Sequence, residues 1–313
     1  MEILSTFIPM DRRQALALGQ AGDLPDRAEG TALFADISGS TPLAEALVRE
    51  LGSQRGAEEL TEQLNRVYSA LISEVDRYGG SVIGFSGDAI TCWFEGDSGL
   101  RAAACALAMQ EKIAVVASVT TPAGTPVKLA VKVAIASGPV RRFLVGDTAV
   151  QQIDVLAGKT LDQLAAAEHL AGRGEVVLSR ETALQLEETI RVSDCRRLEE
   201  TGAQAVLLDS LVQPVSETPW PDLASDALAE VQVRPWLLPA VYHRLLKSAG
   251  HFLADLRPVA ALFIAFSGID YDGDDGAGIM LDAYIRHVQS ILTGSSQLPA
   301  NWKGYNEMWR FRL

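Results

Sequence analysis

The stretch ALFADISGST (Ala32–Thr41) constrains the fold most, because it sets a carboxylate at the far end of an apolar run. Thr31–Ile37 has the length and residue types of a buried strand. Desolvating Asp36 alone at its end is very costly, so the acid needs a partner, water or a bound cation. A later stretch, ALFIAFSGID (Ala261–Asp270), repeats the phrase with Ala265 where Asp36 stands. The chain therefore reads as one unit followed by a partial copy that lacks the charge.

At 313 residues and 48% hydrophobic, the chain has room for one large or two smaller domains. No apolar run reaches the roughly 18 residues a membrane helix needs. MEILSTFIPMDRR places its arginines behind its apolar stretch, the reverse of a secretory signal. The expectation is a cytoplasmic protein without a membrane span. Cys92, Cys105 and Cys195 are odd in number and widely spaced, as expected of buried thiols in a reducing compartment. A net charge of −13 repels nucleic acid and anionic membranes, so a phosphorylated substrate calls for a mediating divalent cation.

Thr41 and Pro42 read as the cap and first residue of a helix, with Glu45 completing an approximate capping pattern. Leu60, Leu64, Val67, Tyr68, Leu71, Ile72 and Val75 share one helical face, ended by Tyr78-Gly79-Gly80. Ser81–Phe85 and Ala89–Phe94 flank Ser86-Gly87-Asp88 as a hairpin. Leu100–Val116 is an alanine-rich helix. Val127–Ala136 and Val140–Val145 read as two strands joined near Ser137-Gly138-Pro139. Helices at Thr160–Leu170 and Glu181–Leu186, a strand at Glu175–Leu178 and two weaker strands ending near Leu211 complete the unit. The pattern is α+β, a ferredoxin-like βαββαβ domain with a mainly antiparallel central sheet and flanking helices.

Four prolines between Val212 and Trp236 read as a linker. The expected division is an N-terminal segment over 1–30, a first domain over 31–212, a linker over 213–256 and an unfinished copy over 257–313. A short helix is expected around Ala240–Ser248. The copy should hold a strand to Phe266, an acidic loop and a helix near Met280–Leu292. Gly294–Leu313 contains no equivalent of the first unit's GGSVIGFSGD, so the chain reads as a truncated or frame-disrupted version of a longer tandem protein.

Asp36 and Asp88 each stand where a strand meets a turn. On neighbouring strands their carboxylates would converge, and unpaired they would repel until one took up a proton. Two Mg²⁺ (or Mn²⁺) ions about 3.5–4 Å apart resolve that repulsion and suit phosphoryl chemistry. The turn Ser38-Gly39-Ser40-Thr41, leading into a helix N-terminus, adds N–H groups that can hold triphosphate oxygens.

FADISGST resembles the F-x-D-I-x-G-F-T motif of class III adenylyl/guanylyl cyclases, with Ser40 in place of the usual Phe. FSGDAI resembles their second-metal Gly-Asp hairpin. Gly146-Asp147 followed by IDVLAGKTLDQLAAAEHLAGRGEVVLS resembles the run from their dimer-arm strands to the catalytic helix. The likeness covers Thr31 to about Leu211, with a partial copy beyond Arg257. Its layout is most similar to soluble adenylyl cyclase and its bacterial tandem-domain relatives.

The resemblance implies that Asp36, Asp88 and the Ile37 carbonyl hold two metal ions. It implies that the 3′-hydroxyl of ATP (or GTP) attacks the α-phosphate with loss of pyrophosphate. It further implies that a complementary half supplies a base-selecting Lys and an Asn/Arg pair. In the first half Gly84, Asp162 and Ala166 stand at or near those positions, so this half resembles the metal-bearing member of an asymmetric pair. The complement would then come from the full-length chain or a dimer partner. Gly84 and Ala165 are also nearest to the Lys and Arg with which soluble members bind bicarbonate. The alternative is a catalytically silent cyclase-fold module for dimerisation or nucleotide sensing.

Other motifs have plainer readings. A lone Asp at a strand end is usually a turn former or cap, and Ser-Gly-Asp is usually a turn. LAGKT (Leu156–Thr160) ends like a phosphate-binding loop, but Ile153 stands in the first glycine's place. DYDGDDGAG (Asp270–Gly278) has Asp275 at a calcium loop's turn glycine and Leu281 at its twelfth position, so it reads as a solvated acidic loop. His169, His243, His251 and His287 lack ligand spacing, and Cys92 and Cys105 read as core fillers. Arg141-Arg142 either reach a triphosphate or solvate a strand end.

Overall fold

A computed structural model of the chain describes residues 2–20, 24–199, 201–247 and 264–294. Arg27–Ser38 pairs antiparallel with Ala130–Val145 over twelve residues, from Arg27 opposite Arg141 to Ser38 opposite Ala130. The remaining elements are arranged around that pairing.

In chain order, helices α1 (Glu2–Ser5) and α2 (Met10–Ala17) precede strand β1 (Arg27–Ser38). Helices α3 (Ser40–Leu51) and α4 (Ser53–Arg77) lead to the hairpin β2 (Ser81–Ser86) and β3 (Ala89–Glu95), then to α5 (Leu100–Val116). A small ribbon, β4 (Ser118–Thr120) with β5 (Pro126–Lys128), enters β6 (Ala130–Val145). There follow β7 (Ile153–Ala157), α6 (Lys159–Leu170), β8 (Val176–Ser179), α7 (Arg180–Gln185), β9 (Ile190–Arg197) and β10 (Gln204–Leu211). Helices α8 (Glu230–Val233), α9 (Pro239–Lys247) and α10 (Ala277–Leu292) complete the described residues. The large sheet runs β2-β3-β1-β6-β8-β10-β9, with β7 paired to β6. Only the β6–β8 pairing is parallel among the described strands. None of the described helices is long and apolar enough to cross a membrane.

Alternation along β1 and β6 gives the sheet two faces. Leu33, Ala35, Ile37, Val131, Val133 and Ile135 face the main core with Val67 and Leu71 of α4 and Met109 of α5. Cys92 and Cys105 fill space there, and burial pushes both thiols up. Cys195 differs from the expectation: it lies exposed on β9. On the opposite face, Ala28, Ala32, Ala134 and Ala136 admit Leu164 and Ala167 of α6.

The expected break near Ser137-Gly138-Pro139 is absent, and β6 runs through it as one sixteen-residue strand. β1 offers a partner along the whole length, which keeps the backbone extended. Gly138, at φ +150°, lets α6 approach closely: a Cβ there would meet the Thr160 hydroxyl oxygen at 2.9 Å. That hydroxyl donates to the Pro139 carbonyl at 2.7 Å.

The far half of β6 with β7 forms a blade whose two faces hold different partners. Phe143, Val145 and Ala157 pack against Ala277 and Leu281 of α10, in the segment read from the sequence as an unfinished copy. Leu144, on the other face, meets a cluster of Leu4, Ile8, Leu228, Val233, Trp236, Tyr242 and Leu245. The segment read as a linker thus packs against the N-terminal segment through its described residues. The second-copy strand lies partly outside the described residues, and the described part, from Ile264, is not in a sheet. The helix after it begins at Ala277, three residues before the expected Met280.

Arg141 and Arg142 follow neither expected reading. Both are 2% exposed. Arg142 binds Asp11 and Asp154, and Asp154 also takes Arg12 at 2.6 Å. Arg141 donates to the Tyr271 and Asp274 carbonyls, each at 3.0 Å, and to Asp26 at 2.8 Å. Nine residues of β6 separate Arg141 from Lys132, the partner of Asp36, which places the arginines about 30 Å from that acid. The acidic loop is exposed yet tied down. Asp272 accepts from the Lys159 N–H at 3.1 Å, filling the N-terminus of α6, and Asp275 pairs with Arg27 at 2.6 Å.

Burial alone would lift the Asp154 carboxyl, but hydrogen bonds from Arg142 and Arg12 outweigh it and hold the pKa below the usual range. Stability from this acid is therefore present above about pH 4 and lost as pH falls through its depressed folded value. Arg142→Met is expected to lower the urea unfolding free energy by about 3–5 kcal/mol at pH 7, the cost of breaking a buried pair. The gap from wild type should shrink below about pH 4.

Candidate functional site

β1 delivers Asp36 to the corner of the sheet where the β2–β3 hairpin turns. Asp36 pairs with Ala89, the residue after Asp88. The Ile37 N–H donates to the Asp88 carbonyl at 3.2 Å. The two acids singled out by sequence thus stand together at one corner. Tyr68, from α4, registers both: burial raises its phenol pKa first, and the charges of Asp88 and Asp36 add to it. Its ring meets Phe85 of β2 edge-on, centroids 5.5 Å apart. The Ile37 side chain is buried in the core, so only its backbone is available to a ligand.

After Ser38 the chain turns at Gly39, with φ +97°. A Cβ at Gly39 would lie 2.9 Å from the Lys128 carbonyl oxygen, so both conformation and space require glycine. α3 starts at Ser40 rather than at Pro42, and no side chain caps it. The Ser40 hydroxyl instead donates to the Asp88 carboxylate. The first helical bond runs from the Leu43 N–H to the Gly39 carbonyl. Pro42 has no N–H, so the turn's offer to an anion is the amides of Ser40 and Thr41.

Four neighbouring residues were not singled out as site residues from the sequence. Lys132 faces Asp36 in the β1–β6 register, with Nζ 3.3 Å from Asp36 Oδ2. It also donates to Glu168 in the last turn of α6. Burial works to lower the Lys132 pKa, but Glu168 and then Asp36 outweigh it and raise it, so the ammonium stays charged. The Arg173 guanidinium donates to the Lys128 carbonyl and would lie 3.5 Å from a Cβ at Gly39. Lys132 had a legible signal, a lone charge in the apolar strand AVKVAIA. Glu168, Arg173 and Tyr68 reach the corner only through tertiary packing.

No group of three or more His, Cys, Asp or Glu side chains clusters for a metal among the described residues. A cation at this corner would draw on two carboxylates, one carbonyl and oxygens of its substrate. All-oxygen donors suit Mg²⁺ or Mn²⁺, and Mg²⁺ is commonly bound by one or two carboxylates plus substrate phosphates. The residues present fit such a cation. Gly39→Ala is expected to cost about 1–3 kcal/mol of stability by forcing a non-glycine residue into this conformation. Urea titration of the variant measures it.

Residues 26–207, more than half of the chain, match the adenylate and guanylate cyclase catalytic domain family. Adenylate cyclase type 10 of Oryctolagus cuniculus is 24% identical over 306 residues, covering 85% of this chain and 18% of that protein. The Homo sapiens counterpart is 22% identical over 296 residues, with the same coverage of 85% and 18%. The chain thus spans about a fifth of the length of these curated relatives. Among solved structures, the guanylyl cyclase Cya2 shares the fold with a TM-score of 0.51 at 21% identity, covering 62% of this chain and 98% of that one.

Proposed function

The chain belongs to the adenylate and guanylate cyclase catalytic domain family, and on that premise we propose that it is the metal-bearing half of a class III nucleotidyl cyclase. The observation that carries this reading is the meeting of Asp36 and Asp88 beside a glycine turn and a lysine. The similarity to adenylate cyclase type 10 supports ATP over GTP. A complementary half, from a longer chain or a dimer partner, completes the site.

Asp36, Asp88 and the Ile37 carbonyl would hold two Mg²⁺ (or Mn²⁺) ions, which when bound supply charge neutralisation at the triphosphate and a more acidic ribose 3′-hydroxyl. The amides of Ser40 and Thr41 receive phosphate oxygens at the start of α3. Ser40 fixes the Asp88 carboxylate through its hydroxyl. Arg173 brings positive charge close to the Gly39 turn. In the reaction the O3′–Pα bond forms and the bond from Pα to the pyrophosphate oxygen breaks, giving a cyclic nucleotide and pyrophosphate. Positioning and charge stabilisation account for most of the acceleration in such transfers.

The second reading, a silent module, is favoured by one observation: with Asp162 and Ala166 near the Asn and Arg positions, the chain carries only one side of the site. Titration calorimetry with a non-hydrolysable ATP analogue separates the outcomes. Binding that requires Mg²⁺ or Mn²⁺ and drops at least about tenfold in Asp36→Ala is expected. Equal binding with and without metal contradicts the proposal. Mixed with a cyclase half carrying the Lys, Asn and Arg, the chain should yield cyclic nucleotide. Absence of product from every mixture favours the silent module.

A further inference from the structure

Lys132 poses a problem for the reading above. Its ammonium sits 3.3 Å from Asp36 Oδ2, where it would oppose any divalent cation that the carboxylate has to receive. A lysine held fully against Asp36 would neutralise half of the corner's charge.

The structure shows a second acid in competition for the same lysine. Glu168 accepts a hydrogen bond from Lys132 Nζ, and this contact is closer than that to Asp36. Among the described residues, the other ion-pair contact of its carboxylate is a marginal 4.0 Å approach of His169 Nδ1. Its place is fixed by the helix. Leu164 and Ala167 bury α6 against the sheet, and the Lys159 N–H at the other end is held by Asp272. The Ala171 N–H closes the last turn on the Glu168 carbonyl at 3.1 Å.

We infer that Glu168 is a positioning residue that draws the Lys132 ammonium away from Asp36, leaving the Asp36–Asp88 corner with the negative charge a divalent cation needs. The inference rests on the proposed metal role of those two acids. With Glu168 holding Lys132, Asp36 and Asp88 keep two negative charges between them; with the lysine turned fully to Asp36 they keep one. Glu168 acts through Lys132 and touches no reacting atom.

Mn²⁺ binding to the intact chain, followed by electron paramagnetic resonance of free Mn²⁺, tests this without turnover. Glu168→Gln should weaken Mn²⁺ binding about tenfold, because the released ammonium turns to Asp36. Glu168→Asp, which keeps the charge, should recover part of the loss. Lys132→Met should bind Mn²⁺ at least as tightly as wild type, and adding Glu168→Gln to it should change binding less than about twofold. Thermal unfolding of each variant checks that the fold is kept. Unchanged binding in Glu168→Gln overturns the inference, as does a tenfold loss that persists with Lys132 removed, which would make Glu168 a direct or structural contributor. Should wild type fail to bind Mn²⁺, or Asp36→Asn bind as well as wild type, the metal reading falls first and takes the inference with it.

Discussion

The antiparallel pairing of β1 with β6 is the constraint on which the rest depends. Twelve residues of unbroken register fix which side chains share a face and which share an end. A slip of one residue would turn Asp36 toward the core and Leu33 outward. The buried alanines opposite α6 and the larger apolar residues opposite α4 and α5 make that slip prohibitive. One pairing thus sets both ends of the sheet, and the two ends treat charge in opposite ways.

At the arginine end, charge is buried and paired. Arg12, Arg142, Asp11 and Asp154 form a closed network in which each acid meets a base. The network joins the N-terminal helix to the blade of β6 and β7, and α10 rests on the blade's other face. At the aspartate end, charge is partly open. Asp36 and Lys132 keep about a quarter of their side-chain surface exposed, and Asp36 shares its lysine with Glu168. A closed network resists the loss of any one member, because that would leave an uncompensated buried charge. A corner left with surplus negative charge and a row of helix amides is suited to receiving cations and phosphate together.

Much of this was legible in the sequence. The apolar strand ending in an acid, the Ser-Gly-Asp hairpin and the helical stripe from Leu60 to Val75 each carry a local signal, and each element formed where its pattern placed it. The misreadings have a common cause. Ser137-Gly138-Pro139 looks like a turn because glycine and proline usually make one, but a long partner strand overrode the local preference. Arg141-Arg142 look like a surface pair, since nothing nearby in sequence shows that Asp11 and Asp154 will bury them. Glu168 and Arg173 reach the aspartate corner from α6 and the turn after it, 80 and 85 residues beyond Asp88. Such residues become visible only once the helix is docked.

Every role assigned to the aspartate corner depends on the proposed sharing of a pair of cations by Asp36 and Asp88. Crystals of the chain grown with Mn²⁺ and a non-hydrolysable ATP analogue, measured at the manganese absorption edge, test it most directly. The account predicts two anomalous peaks within coordination distance of both carboxylates, with the triphosphate against the Gly39 turn. Manganese bound elsewhere, or a nucleotide seated away from that turn, would contradict it.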